Sequence, residues 1–181
     1  LTEVEIAAIL TALRTKGETI EELSGLLEAM REKMLSVECK DDRAVDLCGT
    51  GGDHSGSFNL STAAALVAAA GGVSVAKHGN RAVTSQSGSA DFLEALNIPF
   101  PESPVAASKQ LSKHNFAFLF APLFHPSMKI VATVRKQLRI RTVFNVLGPL
   151  ANPARVTRQL VGVYSPTWME PIARTLAATG T

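Results

Sequence analysis

Asp46 to Thr62 read DLCGTGGDHSGSFNLST, with Gly49, Gly51, Gly52 and Gly56 interleaved among Asp53, Ser57, Asn59, Ser61 and Thr62. Glycines let main-chain N–H groups approach anionic oxygens with no Cβ in the way. A helix N-terminus aimed at the same point adds unpaired donors and partial positive charge. The chemistry this predicts is the gripping of a phosphorylated ligand. A turn needing only flexibility is served by two glycines and does not call for so many hydroxyls. A second polar stretch, Lys77-His78-Gly79-Asn80-Arg81, leads on to Thr84, Ser85, Ser87 and Ser89. One βα unit after the glycines, its cations, amide and hydroxyls read as a phosphate or diphosphate clamp.

Two nucleotide-binding signatures do not fit. A P-loop needs lysine directly before Ser or Thr after its glycines, and His54-Ser55-Gly56-Ser57 has none. The dinucleotide fingerprint would set Asp53 against a pyrophosphate. A carboxylate beside phosphate-binding glycines instead suggests contact with sugar hydroxyls or hydrated magnesium.

The elements that must position these residues are legible. Val4 to Lys16 has helical apolar spacing and stops at Gly17, and Thr19 with Glu22 forms a capping box for a second helix to about Met34. From Arg43 the pattern changes to strand AVDL, glycine loop, helix from Ser61 to Ala70, strand VSVA, loop KHGNR and helix SADFLEAL. That alternation predicts parallel βαβ units. Ser103 and Pro104 start another helix, FAFLFAP reads as a buried strand, and Pro126 opens a helix to about Leu138. QLVGVYS and the helix from Trp168 to Ala178 complete a further unit. The predicted class is α/β, with a helical hairpin over residues 1–40 and a mainly parallel sheet within 41–181. The helical segment around 126–145 is expected to pack with the hairpin. Ligands of open α/β sheets bind beyond the carboxyl ends of the strands, so both polar loops should meet over one crevice.

Composition narrows the function classes. The chain has 181 residues, 46% hydrophobic, a net charge of +2, and no apolar run long enough to span a bilayer. Its start has neither the basic flank nor the apolar core of a signal peptide, so a cytoplasmic setting and no membrane partner are expected. Cations are scattered and form no basic stripe, which argues against nucleic acid and for a small, locally gripped anion. Cys39 and Cys48 lack metal-ligand spacing and suit free thiols in a reducing compartment.

GTGGD, the N-x-S-T-A helix start, KHGNR, GSAD, FLFAP…HP, VRK-x-L-x-I-R-T-x-F-N and LGPLANP follow one another in order from roughly Leu10 onward. In this the chain resembles the anthranilate phosphoribosyltransferases of tryptophan biosynthesis. The resemblance implies transfer of the phosphoribosyl group from 5-phosphoribosyl 1-diphosphate (PRPP) to the amine of anthranilate, releasing diphosphate. It also implies magnesium (Mg2+) as cofactor, a homodimer, and an anthranilate synthase component as a further partner. Carried over, Gly49, Gly52, Asp53, Ser57, Asn59, Ser61, Thr62, Lys77, Asn80, Arg81, Ser85 and Ser89 match PRPP contacts, Ser61 also a magnesium ligand, and Leu60 and Gly79 are counted among the substrate-binding residues. Gly49, Asn80 and Arg135 match anthranilate contacts, with His78 and His125 lining the acceptor channel. Lys77, Asn80 and Arg135 are the implied catalytic residues. Physics agrees on Arg135, which sits at the edge of the apolar stripe of Met128, Val131, Val134 and Leu138 and carries a fork suited to a carboxylate. A snorkelling interface arginine is the alternative. His54 reads as exposed and His114 as a cation capping a helix end.

The mechanism so implied follows from charge. Breaking the bond between ribose C1 and diphosphate leaves positive charge on the sugar and negative charge on the leaving group. An aromatic amine already has a usable lone pair, so leaving-group electrostatics and proximity must supply most of the acceleration. Relatives run to nearly twice this length and carry a magnesium-holding Asp-Glu pair beyond this segment, so the chain is expected to be an N-terminal part lacking those carboxylates. Arg139 stands where relatives commonly have glycine, and Gln86-Ser87 where Lys-Cys is common. Competing readings are a pyrimidine nucleoside phosphorylase, disfavoured by KHGNR, and a non-catalytic or nucleic-acid-binding relative, disfavoured by Arg135, Asn80 and the low charge.

Overall fold

The computed structural model describes residues 1–51, 58–82 and 87–181. Two capped helices come first. In α1 (Glu3–Lys16) and α2 (Ile20–Lys33), Thr2 with Glu5 and Thr19 with Glu22 form reciprocal capping boxes, satisfying end N–H groups that the helices cannot pair internally. The α/β part then runs β1 (Val45–Gly49), α3 (Leu60–Ala70), β2 (Val75–Gly79), α4 (Ser89–Ala95), α5 (Pro104–His114) and β3 (Phe116–Phe120). It continues with α6 (Ala121–Phe124), α7 (Met128–Leu138), α8 (Phe144–Leu150), β4 (Arg158–Gly162), a 3-10 turn at Pro166–Trp168 and α9 (Met169–Ala178).

The four strands form one parallel sheet in the order β3-β2-β1-β4. The chain works outward from β1 on one side and returns to β1's other edge with β4, so connections diverge between β1 and β4, the point beyond whose carboxyl ends open α/β sheets take their ligands. Glycine meets glycine there, Gly49 opposite Gly162. The chain is thus a small helical N-terminal domain joined to an α/β domain with a parallel sheet.

Several boundaries differ from expectation. β2 reaches Gly79, so Lys77, His78 and Gly79 are strand residues and not part of a loop; five consecutive pairs with β3, Val75 to Gly79 against Phe116 to Phe120, draw them into the sheet. The helix expected from Pro126 starts at Met128, after a turn in which the Met128 N–H donates to the His125 carbonyl. α8, which contains Pro149, was hidden by its Gly-Pro pair, yet it buries Val146, Leu147 and Leu150. Those residues share one apolar cluster with Leu10, Leu23, Leu27, Val134 and Ile172, so α7, α8 and α9 all pack with the hairpin. α9, read as the close of a βα unit, serves the helical cluster as well. Among the described residues no helix is long and apolar enough to cross a membrane.

Candidate functional site

The start of α3 meets the end of β2 and the residues that lead into α4. Asn59 precedes α3 without capping it; its amide donates to Ser87 Oγ at 3.1 Å and to the Gly88 carbonyl at 3.3 Å. One turn on, Thr62 is fully buried and its hydroxyl donates to Ser89 Oγ at 3.1 Å. Ser61 Oγ lies 3.5 Å from Lys77 Nζ. Three polar positions of the NLST run are therefore tied to the second polar stretch.

Lys77 has no exposed surface, and its ammonium donates to the Leu47 carbonyl. Burial lowers its pKa, and the negative charge of Asp46 opposes that shift. Among the described residues no carboxylate pairs with it. A buried ammonium held by a carbonyl and a hydroxyl has spare capacity for an anion. Asp46 is likewise fully buried; desolvation raises its pKa, opposed by Lys77 and by hydrogen bonds from Asn152, the His78 amide and Gln159.

His78 and His125 face each other with ring centroids 5.0 Å apart, and both are buried. Burial and the neighbouring His125 push the His78 pKa down to about 3, against a hydrogen bond to the Gly148 backbone. Burial also lowers that of His125, with the Ala151 carbonyl near enough to oppose without closing a hydrogen bond. Among the described residues His78 Nε2 and both ring nitrogens of His125 lack a partner. Two neutral imidazoles thus offer both lone pairs and N–H groups.

Asn80 and Arg81 leave the sheet. Asn80 Oδ1 accepts from the Arg81 N–H at 2.7 Å. The Arg81 guanidinium is engaged by Asp91 at 3.1 Å and by Glu94 at 2.5 Å, which raise its pKa, and it lies over the Phe120 ring. These pairs turn its guanidinium toward α4, where the sequence had suggested a diphosphate contact, while about half of the side chain stays exposed at 48%. Leu60 is mostly exposed and its amide is tied to the Phe58 carbonyl. Gly79 is required by packing, since a Cβ there would stand 2.7 Å from Phe118 Cε2. Gly52, Asp53, His54, Ser57 and Ser85 lie outside the described residues.

Arg135 sits in the helical cluster's α7. Its Nη2 donates to Asn145 Oδ1 at 3.4 Å, Phe144 lies 5.9 Å beneath it, and burial lowers its pKa. Among the described residues no carboxylate pairs with it. The structure thus gathers Asn59, Ser61, Thr62, Lys77 and Ser89 in one place and pairs His78 with His125, while Gly49 lies against Gly162 at the end of β1 and Arg135 on the helical side. Sequence reasoning missed Asp46, Gly88, Asp91, Asn145 and Asn152. Asp91 could have been found as the acidic residue three positions after Gly88, since its carboxylate accepts the Gly88 and Ala82 amides at 2.8 and 3.0 Å. Asn152 is visible only as part of LGPLANP.

Comparison with known proteins places this geometry. Residues 41–181 match the a/b domain of the glycosyl transferase family and residues 1–34 its helical bundle domain. The chain is 57% identical over 178 residues to an anthranilate phosphoribosyltransferase of Prosthecochloris aestuarii, covering 98% of this chain and 50% of that protein. It therefore spans about half the length of the curated relatives it matches. Among solved structures it is similar to the anthranilate phosphoribosyltransferase of Thermus thermophilus, with a TM-score of 0.95, 48% identity, and coverage of 100% of this chain and 55% of that one. It is also similar to the Saccharomyces cerevisiae anthranilate phosphoribosyltransferase in complex with PRPP and Mg, with a TM-score of 0.89, 34% identity, and coverage of 98% and 51%.

Proposed function

Since the chain belongs to the anthranilate phosphoribosyltransferase family, we propose that it binds PRPP over the carboxyl end of β1 and transfers the phosphoribosyl group to the amine of anthranilate. One observation carries this reading: a wholly buried lysine with no carboxylate partner among the described residues stands where the polar residues of α3 and of the segment after β2 are hydrogen-bonded together. Such an ammonium is stabilised by an anion, and charge that grows on departing diphosphate is stabilised most, which lowers the barrier.

Each residue then has a role. Lys77 and Ser61 hold diphosphate oxygens, and by the family match Gly49, Gly52, Asp53 and Ser57 are further PRPP contacts, Asp53 toward sugar hydroxyls or hydrated magnesium. Asn59, Thr62 and Ser89 fix the two segments to each other, and Arg81 shapes the second by its pairing with α4. Arg135, preset by Asn145 and Phe144, takes the anthranilate carboxylate as a two-pronged donor. His78, with Nε2 unpartnered among the described residues, and His125, with both ring nitrogens so, line the acceptor path, and Asn80 orients the amine. The amine's lone pair forms the bond to ribose C1 as the bond to diphosphate breaks, and the acidic proton then left on nitrogen passes to water or to the departing diphosphate, so no strong base is needed.

Magnesium fits this donor set in a limited way. Among the described residues no three or more His, Cys, Asp or Glu side chains gather to hold a metal. Ser61 Oγ is the one suggested ligand, and a hard cation that keeps several waters can complete its shell with substrate phosphate oxygens. Bound in that manner it would supply positive charge to the leaving diphosphate. The working division into residues 1–40 with 126–145 and the α/β domain of 41–181, a homodimer, a cytoplasmic setting and association with an anthranilate synthase component all belong to the same reading. Val4 and Ile9 on α1 and Ile130 on α7 are exposed, which suits a dimer seam on the helical side.

Calorimetry with PRPP and magnesium tests the proposal, on this chain and on a form extended to the relatives' length. Binding by either is expected, with anthranilate fluorescence consumed by the longer form. Absence of binding by both would favour a non-catalytic relative.

A further inference from the structure

The seam between β1 and β2 is not built like the others. β1 with β4 and β2 with β3 are each in register over five pairs, but β1 and β2 pair only at Val45 and Val75. Beyond that point side chains hold the strands. The His78 N–H of β2 donates to Asp46 Oδ1 of β1 at 3.2 Å. Asn152, from the connector after α8, donates through one amide to Asp46 Oδ2 and to the Ala76 carbonyl of β2, both at 2.8 Å, and accepts the Ala154 N–H at 2.8 Å. Gln159 of β4 adds a bond to Asp46 Oδ2 at 3.2 Å. Asp46 and Asn152 are buried to 0% and 2% exposure. Both amide hydrogens of Asn152 and its carbonyl are thus used, in a place where ladder bonds between neighbouring strands would ordinarily run.

We propose that Asp46 and Asn152 form a buried clamp that replaces the backbone ladder between β1 and β2, and that both are positioning residues which set where Lys77 and His78 stand. The proposal rests on the reading of those two side chains as ligand contacts. Lys77 and His78 lie two and three residues past Val75, the last ladder residue of β2, so apart from the Lys77 ammonium's bond to the Leu47 carbonyl their placement relative to β1 is set by this clamp. Asn152 also makes the clamp sensitive to the helical side. It follows α8 directly, and the next residue's carbonyl, that of Pro153, accepts the Val37 N–H at 2.9 Å from the linker leaving α2. Diphosphate-side and acceptor-side elements are therefore joined through one carboxylate–amide contact.

The test uses Asp46→Asn, Asn152→Asp and the double exchange, at a temperature where circular dichroism shows each folded. Exchange of the His78 amide is read by NMR, and affinity for magnesium diphosphate by calorimetry. Asn152→Asp sets two carboxylates against each other across the 2.8 Å contact, and Asp46→Asn leaves one oxygen for the two donors, the His78 N–H and Asn152 Nδ2, that the carboxylate now accepts from separately. His78 amide exchange is expected to rise and diphosphate affinity to fall, each about ten- to a hundredfold. The double exchange, which restores a donor facing an acceptor, is expected to recover part of both. In the PRPP reaction the same variants should raise KM more than they lower kcat. Should Asp46→Asn fail to fold, Asn152→Ser keeps the Asp46 bond to His78 and carries the affinity measurement. Folded variants with unchanged His78 exchange and unchanged diphosphate affinity would overturn the clamp. If the unaltered chain ignores diphosphate, the functional reading fails, and His78 exchange still decides the clamp.

Discussion

Gly88→Ala is the sharpest test of how the second polar segment is held. A Cβ built on Gly88 would lie 2.3 Å from the Ala82 nitrogen, 2.5 Å from the Arg81 carbonyl carbon and 2.8 Å from the Asn80 oxygen. All three are main-chain atoms, so no side chain can swing aside. Ordinary contact needs about 3.5 Å, so residues 80–82 and 88 must separate by roughly an ångström. That movement breaks the Asp91 carboxylate's bonds to the Gly88 and Ala82 amides and the Ala90 N–H bond to the Asn80 carbonyl. At about 1 kcal/mol net for each, with part recovered from water, the cost is about 2–4 kcal/mol. Urea unfolding followed by circular dichroism measures it. Gly25→Ala is the matched control, because a Cβ there meets nothing within 4 Å and the site lies inside α2; it should stabilise by about 0.5–1 kcal/mol. Diphosphate affinity should fall in the first variant only. A Gly88→Ala cost below about 0.5 kcal/mol, no larger than an ordinary surface change, would refute the close-approach argument.

Lys77→Met is expected to cost about 2.7–4 kcal/mol of transition-state stabilisation, seen as a hundred- to thousandfold loss of kcat in anthranilate consumption; near-normal turnover would remove Lys77 from the diphosphate site. Arg139 ends α7 with φ of 53°, a left-handed conformation that glycine adopts freely, so Arg139→Gly should raise the melting temperature by an amount worth about 0.5–1 kcal/mol, and a lower value would contradict it. His78, faced by His125 and Lys77, is held neutral, its folded pKa depressed to about 3. The unfolded chain then binds more protons on acidification, so this contribution to stability is full above about pH 6.5 and declines as pH falls toward 3. Urea midpoints between pH 7 and 4 should show that slope, and His78→Leu should flatten it; equal slopes would place the titration elsewhere.

Local signals carried most of the fold. Both hairpin helices were legible because apolar spacing with the stop at Gly17 marks the first and the Thr19–Glu22 capping box the second, signals that act within a few residues; the capping box of Thr2 with Glu5 was not read from the sequence. Ser103 with Pro104 marked α5 for the same reason. The alternation that predicts a parallel sheet was also present, and the two polar stretches could be placed at strand ends by position alone. The extent of β2 could not be, since nothing local distinguishes VAKHG from a polar loop until β3 pairs with it residue for residue.

By itself the amino-acid order determined the helical hairpin, the alternation of strands and helices that makes a parallel α/β sheet, and the expectation that two polar segments lie at strand ends, because capping, periodicity and chain reversal act over a few residues. Only the tertiary structure decided which charges are free to act. Arg81 and Lys77 look alike as letters in KHGNR, yet α4 brings Asp91 and Glu94 onto the first, while burial beside Leu47 and Ser61 leaves the second without a carboxylate among the described residues. Asp46 and Asn152, 106 positions apart, became a contact of 2.8 Å for the same reason. Electrostatic roles depend on what surrounds a group in space and on the water removed from it, and both are settled by packing between distant parts of the chain.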